Sequence, residues 1–224
     1  MIFISQKRLQ TTVLNKKNRN LSTEKKKFRR MIMLGGGITC LAFFIVFYLN
    51  TIYEEKVQDQ GNELNLIVDL LTINDYSRPG TIREKTNGIV IHYVANPGST
   101  AEQNRNYFES LKDTQERKAS SHFIVGLDGE IVQCIPSNEV AYASNQRNDD
   151  TISIEVCHPD ESGKFNEKTY ESVVKLAAYM ANKYHIKTKN IIRHYDITGK
   201  LCPKYYVEHE DAWEELKEKI KEAR

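Results

Sequence analysis

Gly88-Ile-Val-Ile-His-Tyr-Val94 is a nearly continuous β-branched run of strand length, the pattern of a central strand covered on both faces. One residue breaks it. An imidazole among Ile and Val costs desolvation unless something binds it, so His92 is a candidate site residue. Downstream, Asn96-Pro97-Gly98 is a turn, and Ser99 with Glu102 three residues on predicts a capping box. The box opens a helix with Tyr107, Phe108 and Leu111 inward, ending near Glu116. The stretch from His122 to Ile135 holds two apolar runs around Asp128-Gly129, which predicts a hairpin of two antiparallel strands. Thr151-Ile-Ser-Ile-Glu-Val156 alternates, with Ile152, Ile154 and Val156 on one side and Ser153, Glu155 and Cys157 on the other.

Further on, Asn166 caps a long helix in which Tyr170, Val173, Val174, Ala177, Ala181 and Tyr184 recur at helical spacing. Ile191-Ile192 is a short strand, and a charged helix from Glu208 to Ala223 turns Trp213, Leu216 and Ile220 inward. Strands alternating with helices predict an α/β domain over residues 83–224, long enough to bury an ordinary core. Residues 54–82 are mixed and polar, with Asn74, Asp75, Ser77, Pro79 and Gly80 as turn formers. They read as a stalk with one short helical patch around Leu64 to Leu71.

The first 53 residues set the topology. Residues 1–30 carry ten Lys/Arg against Glu24 alone, and residues 31–53 carry no charge. The chain's formal net charge of +2 therefore leaves the remainder at −7. An acidic body is a poor nucleic-acid binder, so nucleic acid is not an expected partner. Met31 to Leu49 is 19 uncharged residues, and at about 1.5 Å per residue such a helix matches a hydrocarbon core of roughly 30 Å. Lys25-Lys26-Lys27-Phe28-Arg29-Arg30 precedes it, whereas Glu54 and Glu55 follow. The positive-inside rule then predicts a basic cytoplasmic tail (1–30), one transmembrane anchor (31–53) and an extracytoplasmic domain on the cell membrane. No small-x-small site follows the apolar run, so an uncleaved anchor is expected rather than a signal peptide.

Of the four cysteines, Cys40 lies in the apolar run, leaving Cys134, Cys157 and Cys202 outside. Three do not make a disulfide framework. A Cys134–Cys157 bridge stays open, because spacing does not say whether the two side chains meet. Arg193-His-Tyr-Asp-Ile-Thr-Gly-Lys-Leu-Cys-Pro203 pairs His194 with Cys202 across a loop turned at Gly199, and nitrogen and sulfur donors suit Zn²⁺. His92 as third ligand would leave one tetrahedral position open, the arrangement of a hydrolytic zinc site. Glu155, on the polar side of an otherwise apolar strand, fits a general base, and Lys200 in the same loop could stabilise an oxyanion.

The chain from about Asn74 to Trp213 resembles the zinc-dependent N-acetylmuramoyl-L-alanine amidases of the type 2 amidase family, related to amidase-type phage lysozymes and peptidoglycan recognition proteins. The resemblance rests on Tyr76-Ser-Arg-Pro-Gly80, Gly88 to His92, Asn96-Pro-Gly-Ser-Thr100, Ser121-His-Phe-Ile-Val125 with Asp128-Gly129, Ile152-Ser-Ile-Glu155 and, most specifically, Arg193 to Pro203. It implies a central mixed β-sheet flanked by helices, zinc on His92, His194 and Cys202, and catalytic roles for Glu155 and Lys200. The substrate it implies is peptidoglycan, cut at the amide joining N-acetylmuramic acid to L-alanine. Two features depart from the pattern: Ser121 stands where phage-lysozyme-type relatives place a Tyr, and Tyr142-Ala143-Ser144 replaces the Trp-His-Ala of many relatives. His122 is expected on the pocket wall or hydrogen-bonded, His158 in a surface loop, and Asp196 as a loop-organising acceptor. The rival readings are a non-catalytic peptidoglycan-binding module and an envelope scaffold. Stem-peptide preference, own-wall or lytic role and oligomeric state are not legible in the chain.

Overall fold

The computed structural model describes residues 42–58, 60–61 and 63–224, in two compact units divided between Glu55 and Lys56. In the first, residues 42–55 are helical. Among the described residues no helix is long and apolar enough to cross a membrane. The basic tail and residues 31–41 of the expected anchor lie outside the described residues.

The second unit is built on a six-stranded sheet in the order β1-β4-β3-β5-β2-β6. Its strands are β1 (Leu66–Val68), β2 (Gly88–Ile91), β3 (Phe123–Val125), β4 (Ile131–Gln133), β5 (Thr151–Val156) and β6 (Ile191–Arg193). The hairpin β3–β4 is antiparallel and every other neighbouring pair is parallel, so the sheet is mixed. Gly129 turns the hairpin at φ 83°, and a Cβ there would also crowd Ser172 and Lys168 from the helix behind it.

Helices cover both faces. Helix α1 (Ala101–Thr114) buries Ala101, Phe108 and Leu111 against Ile124, Val132 and Cys134 on one face of the sheet. Helices α2 (Glu167–Lys183) and α5 (Glu210–Glu222) cover the other. There Val173, Leu176, Ala177, Trp213, Leu216 and Ile220 join Ile89, Ile91, Ile152, Ile154 and Val156 in one cluster. The alternation in β5 sorts its residues as expected: Ile152, Ile154 and Val156 face α2 and α5, while Cys157 packs on the α1 side. Two short helices, α3 (Tyr195–Thr198) and α4 (Lys204–Glu208), lie between β6 and α5.

Two expectations need correction, and the cysteine pairing left open by spacing is resolved. Residues 64–71 are not a helical patch in a stalk. Leu66–Val68 pairs with β4 as an edge strand, Leu71 is 1% exposed, and Arg78 forks onto Glu139 at 2.8 and 2.9 Å. The compact unit thus begins well before Arg83, because this short apolar stretch covers a sheet edge that would otherwise expose its ladder. The α1 cap is Thr100 with Gln103, one residue later than the expected Ser99 with Glu102. Ser99 instead donates from its hydroxyl to the Asn96 carbonyl and completes the preceding turn. Cys134 and Cys157 are both buried free thiols, so no bridge joins them.

Candidate metal centre

The parallel register gathers the site. Ile91 is opposite Ile154 of β5 and opposite Arg193 of β6. One residue further on, at the carboxyl ends of three adjacent strands, stand Glu155, His92 and His194. This is where open parallel sheets place ligand sites. The loop after β6 turns at Gly199, φ 76°, and returns Cys202, whose carbonyl accepts from the Tyr195 N–H at 3.0 Å. Asp196 organises the start of that loop by accepting from the Arg193 N–H at 2.8 Å and from its guanidinium.

Donor atoms of His92, His194 and Cys202 lie within 4.8 Å of one another, and all three residues are buried. Cys202 Sγ is 3.8 Å from His92 Nδ1, and the two imidazoles meet edge-on with centroids 4.8 Å apart. Glu155 Oε1 is 4.0 Å from His92 Nδ1. The other carboxylate oxygen, Oε2, is buried with no partner, and so is His194 Nδ1. Lys200 lines the same cavity of about 390 Å³, together with Tyr93, Asn104, Tyr107 and Tyr142.

Burial dominates the electrostatics. It lowers the pKa of His92 well below the ordinary value, helped by His194 and Lys200, and lowers that of His194, again helped by Lys200. Both rings are therefore neutral and carry free lone pairs at neutral pH. Burial raises Glu155 to about 8, opposed by Lys200. It also raises Cys202 to about 12, with the Glu155 charge adding to it and the Tyr93 N–H and Lys200 opposing. The raised values of Glu155 and Cys202 are those of groups whose charged forms a nearby cation would stabilise, and the lowered values of the histidines already favour the neutral, ligating ring. Two neutral imidazoles, one thiol, an orphaned ring nitrogen and an orphaned carboxylate oxygen fit a transition metal of the zinc type.

The remaining site candidates sort clearly. His122 is the hydrogen-bonded residue of its two expected alternatives: its Nδ1 accepts from the Ser153 N–H at 3.0 Å and its Nε2 is 2.9 Å from the Glu139 carbonyl. Ser121, at the position of the missing tyrosine, is turned into the sheet, its hydroxyl 3.0 Å from both the Phe123 and the Ser153 carbonyl. His158 is not on the surface. It is 1% exposed, with Nδ1 2.7 Å from the Asp160 carbonyl and its ring stacked on Tyr93. Two residues with no expected site role also touch the centre: Ser144 Oγ is 3.3 Å from His92 Nε2, and Asn145 Oδ1 is 2.9 Å from His194 Nε2. Serine and asparagine in a loop look alike whether or not a histidine rests on them.

A mixed sheet with helices on both faces carries, at its strand ends, a His-His-Cys cluster that could hold one metal ion beside a carboxylate. The N-acetylmuramoyl-L-alanine amidase family matches residues 83–205, and the chain belongs to that family. It is 34% identical over 157 residues to the N-acetylmuramoyl-L-alanine amidase CwlL of Bacillus licheniformis, covering 64% of this chain and 43% of that protein. The chain thus spans less than half the length of that curated relative. Among solved structures, a mutant endolysin from Bacillus subtilis is 26% identical with a TM-score of 0.59, over 70% of this chain and 99% of that one. PlyL shares the fold at 24% identity, with a TM-score of 0.62 over 71% of this chain and 98% of that one.

Proposed function

We propose that the chain is a zinc-dependent N-acetylmuramoyl-L-alanine amidase. It hydrolyses the peptidoglycan amide between the lactyl group of N-acetylmuramic acid and the L-alanine of the stem peptide. The observation that carries this reading is the buried convergence of His92, His194 and Cys202 beside a carboxylate with an unpaired oxygen. Family membership and the amidase activity named for CwlL support the reaction class.

His92, His194 and Cys202 would hold the ion. Bound zinc supplies Lewis acidity and lowers the pKa of a water towards about 7. Glu155 takes the proton of the attacking water as the new C–O bond forms, then delivers it to the nitrogen as the C–N bond breaks, leaving a lactyl carboxylic acid and a free alanine amine. Lys200, exposed at the cavity edge, faces the negative charge that develops on the carbonyl oxygen. Ser121 is turned into the sheet and takes no part, so proton transfer falls to Glu155.

The apolar, uncharged residues 31–53 after a strongly basic tail support a membrane anchor that holds the domain on the outer face of the cell membrane. Digestion of purified peptidoglycan with and without a chelator tests the reading. New alanine amino termini that vanish on chelation and return with zinc support it. Peptidoglycan that binds the chain but stays uncut in both arms supports a binding or scaffold module instead.

A further inference from the structure

The turn at residues 144–148 reaches into the centre from the loop that precedes β5. Its two contacts fall on the Nε2 atoms of His194 and His92. Asn145 Oδ1 only accepts, so its 2.9 Å contact requires a proton on His194 Nε2. The lone pair is then left on Nδ1, the atom that is buried with no partner. Its neighbour Ser144 stands 3.3 Å from His92 Nε2, and the opposite nitrogen of that ring, Nδ1, faces Cys202 Sγ. Two consecutive residues thus back two histidines that come from different strands.

The turn is itself braced. Asn148 Oδ1 accepts from the Ala143 and Ser144 N–H groups at 3.1 and 2.6 Å, and the Arg147 N–H donates to the Ser144 carbonyl at 2.9 Å. Gln146 Nε2 donates to the Ile197 carbonyl at 3.2 Å, tying the turn to the segment that follows His194. Asn145 adopts φ 51°, a left-handed conformation that asparagine tolerates and most side chains resist. That backbone is what the turn needs to present its amide to the cavity it lines.

We propose that Asn145 is a positioning residue that holds the proton on His194 Nε2 and so leaves the Nδ1 lone pair free. The inference rests on the metal-centre reading for its consequence: an outer partner of this kind typically contributes 10–100-fold in metal affinity, roughly.

The test uses the full chain labelled with ¹⁵N-histidine. Two-bond ¹H–¹⁵N correlation spectra of the metal-free protein report the tautomer of each ring, and a competition assay with a chromophoric chelator reports the zinc Kd. Asn145→Gly keeps the left-handed backbone but removes the acceptor; it should leave His194 in mixed tautomers and weaken zinc binding about 10–100-fold. Asn145→Asp keeps an acceptor and should restore the Nε2–H tautomer, with zinc held at least as tightly as by the wild type. His194 wholly in the Nε2–H form with an unchanged Kd in Asn145→Gly would overturn the proposal. A wild-type chain that shows the tautomer yet takes up no zinc would support the role of Asn145 and count against the metal reading, so the two failures are distinct.

Discussion

Glu155 Oε1 lies 4.0 Å from His92 Nδ1, each one residue beyond the register pair Ile91–Ile154 that joins β2 to β5. Adjacent parallel strands therefore bring a carboxylate and an imidazole to the same corner without any loop having to find its place. This makes the site's geometry a property of the sheet, whose rigid framework holds a partly buried carboxylate beside an imidazole.

Glu155→Gln removes the acceptor while keeping the shape. The variant is expected to bind zinc like the wild type and to lose about 10²–10⁴-fold in kcat, measured on purified peptidoglycan with zinc content read by elemental analysis. Unchanged turnover would remove Glu155 from the reaction.

Zinc should stabilise the folded chain by mass action, by about 4 kcal/mol at a thousandfold excess over Kd. Thermal unfolding with and without added zinc measures it. Cys202→Ala, which deletes the sulfur donor of the buried cluster, should lose most of that shift, whereas Cys134→Ala, on the α1 side of the sheet, should retain it.

His122 predicts an acid limit on stability. Burial lowers its pKa from the ordinary 6.5 to about 3, reinforced by the Arg83 charge. Its Nδ1 already accepts from the Ser153 N–H, so a second proton has no room. The folded state keeps the ring neutral while the unfolded chain protonates it below 6.5. The stability contribution is therefore complete above pH 6.5 and declines by about 1.4 kcal/mol per pH unit as pH falls towards about 3. Denaturant titrations of wild type and His122→Gln across pH 4–7 should differ in slope by about that amount; parallel curves would contradict the assignment.

The edge strand gives a fourth prediction. A chain beginning at Arg83 lacks β1, loses Leu71 from the cluster with Phe108, Leu111 and Ile124, and leaves Glu139, 8% exposed, without Arg78. It should be less stable than a chain beginning at Lys56 by at least the about 2–5 kcal/mol of a buried leucine, as read from denaturant midpoints.

These cases also show which features a linear chain reveals. His92 and Glu155 were visible because each is a costly polar residue in a strand that is otherwise apolar on that stretch. His194 and Cys202 were visible because a loop of that length with a glycine can fold two donors together. Leu66–Val68 was not, since a three-residue edge strand set in polar sequence has neither a helical nor a strand period long enough to read. Asn145 and Ser144 had no expected site role because what they touch depends on where β2 and β6 end. His158 was misplaced because Pro159 marks the end of a strand but not whether the chain then folds back over Tyr93, as it does here.

The most direct test of the account is mass analysis of what the zinc-loaded chain releases from purified peptidoglycan, run beside Glu155→Gln. The account predicts intact stem peptides with free L-alanine amino termini from the wild type and none from the variant. Release of disaccharide fragments, or of nothing by a chain that has taken up its zinc, would contradict it.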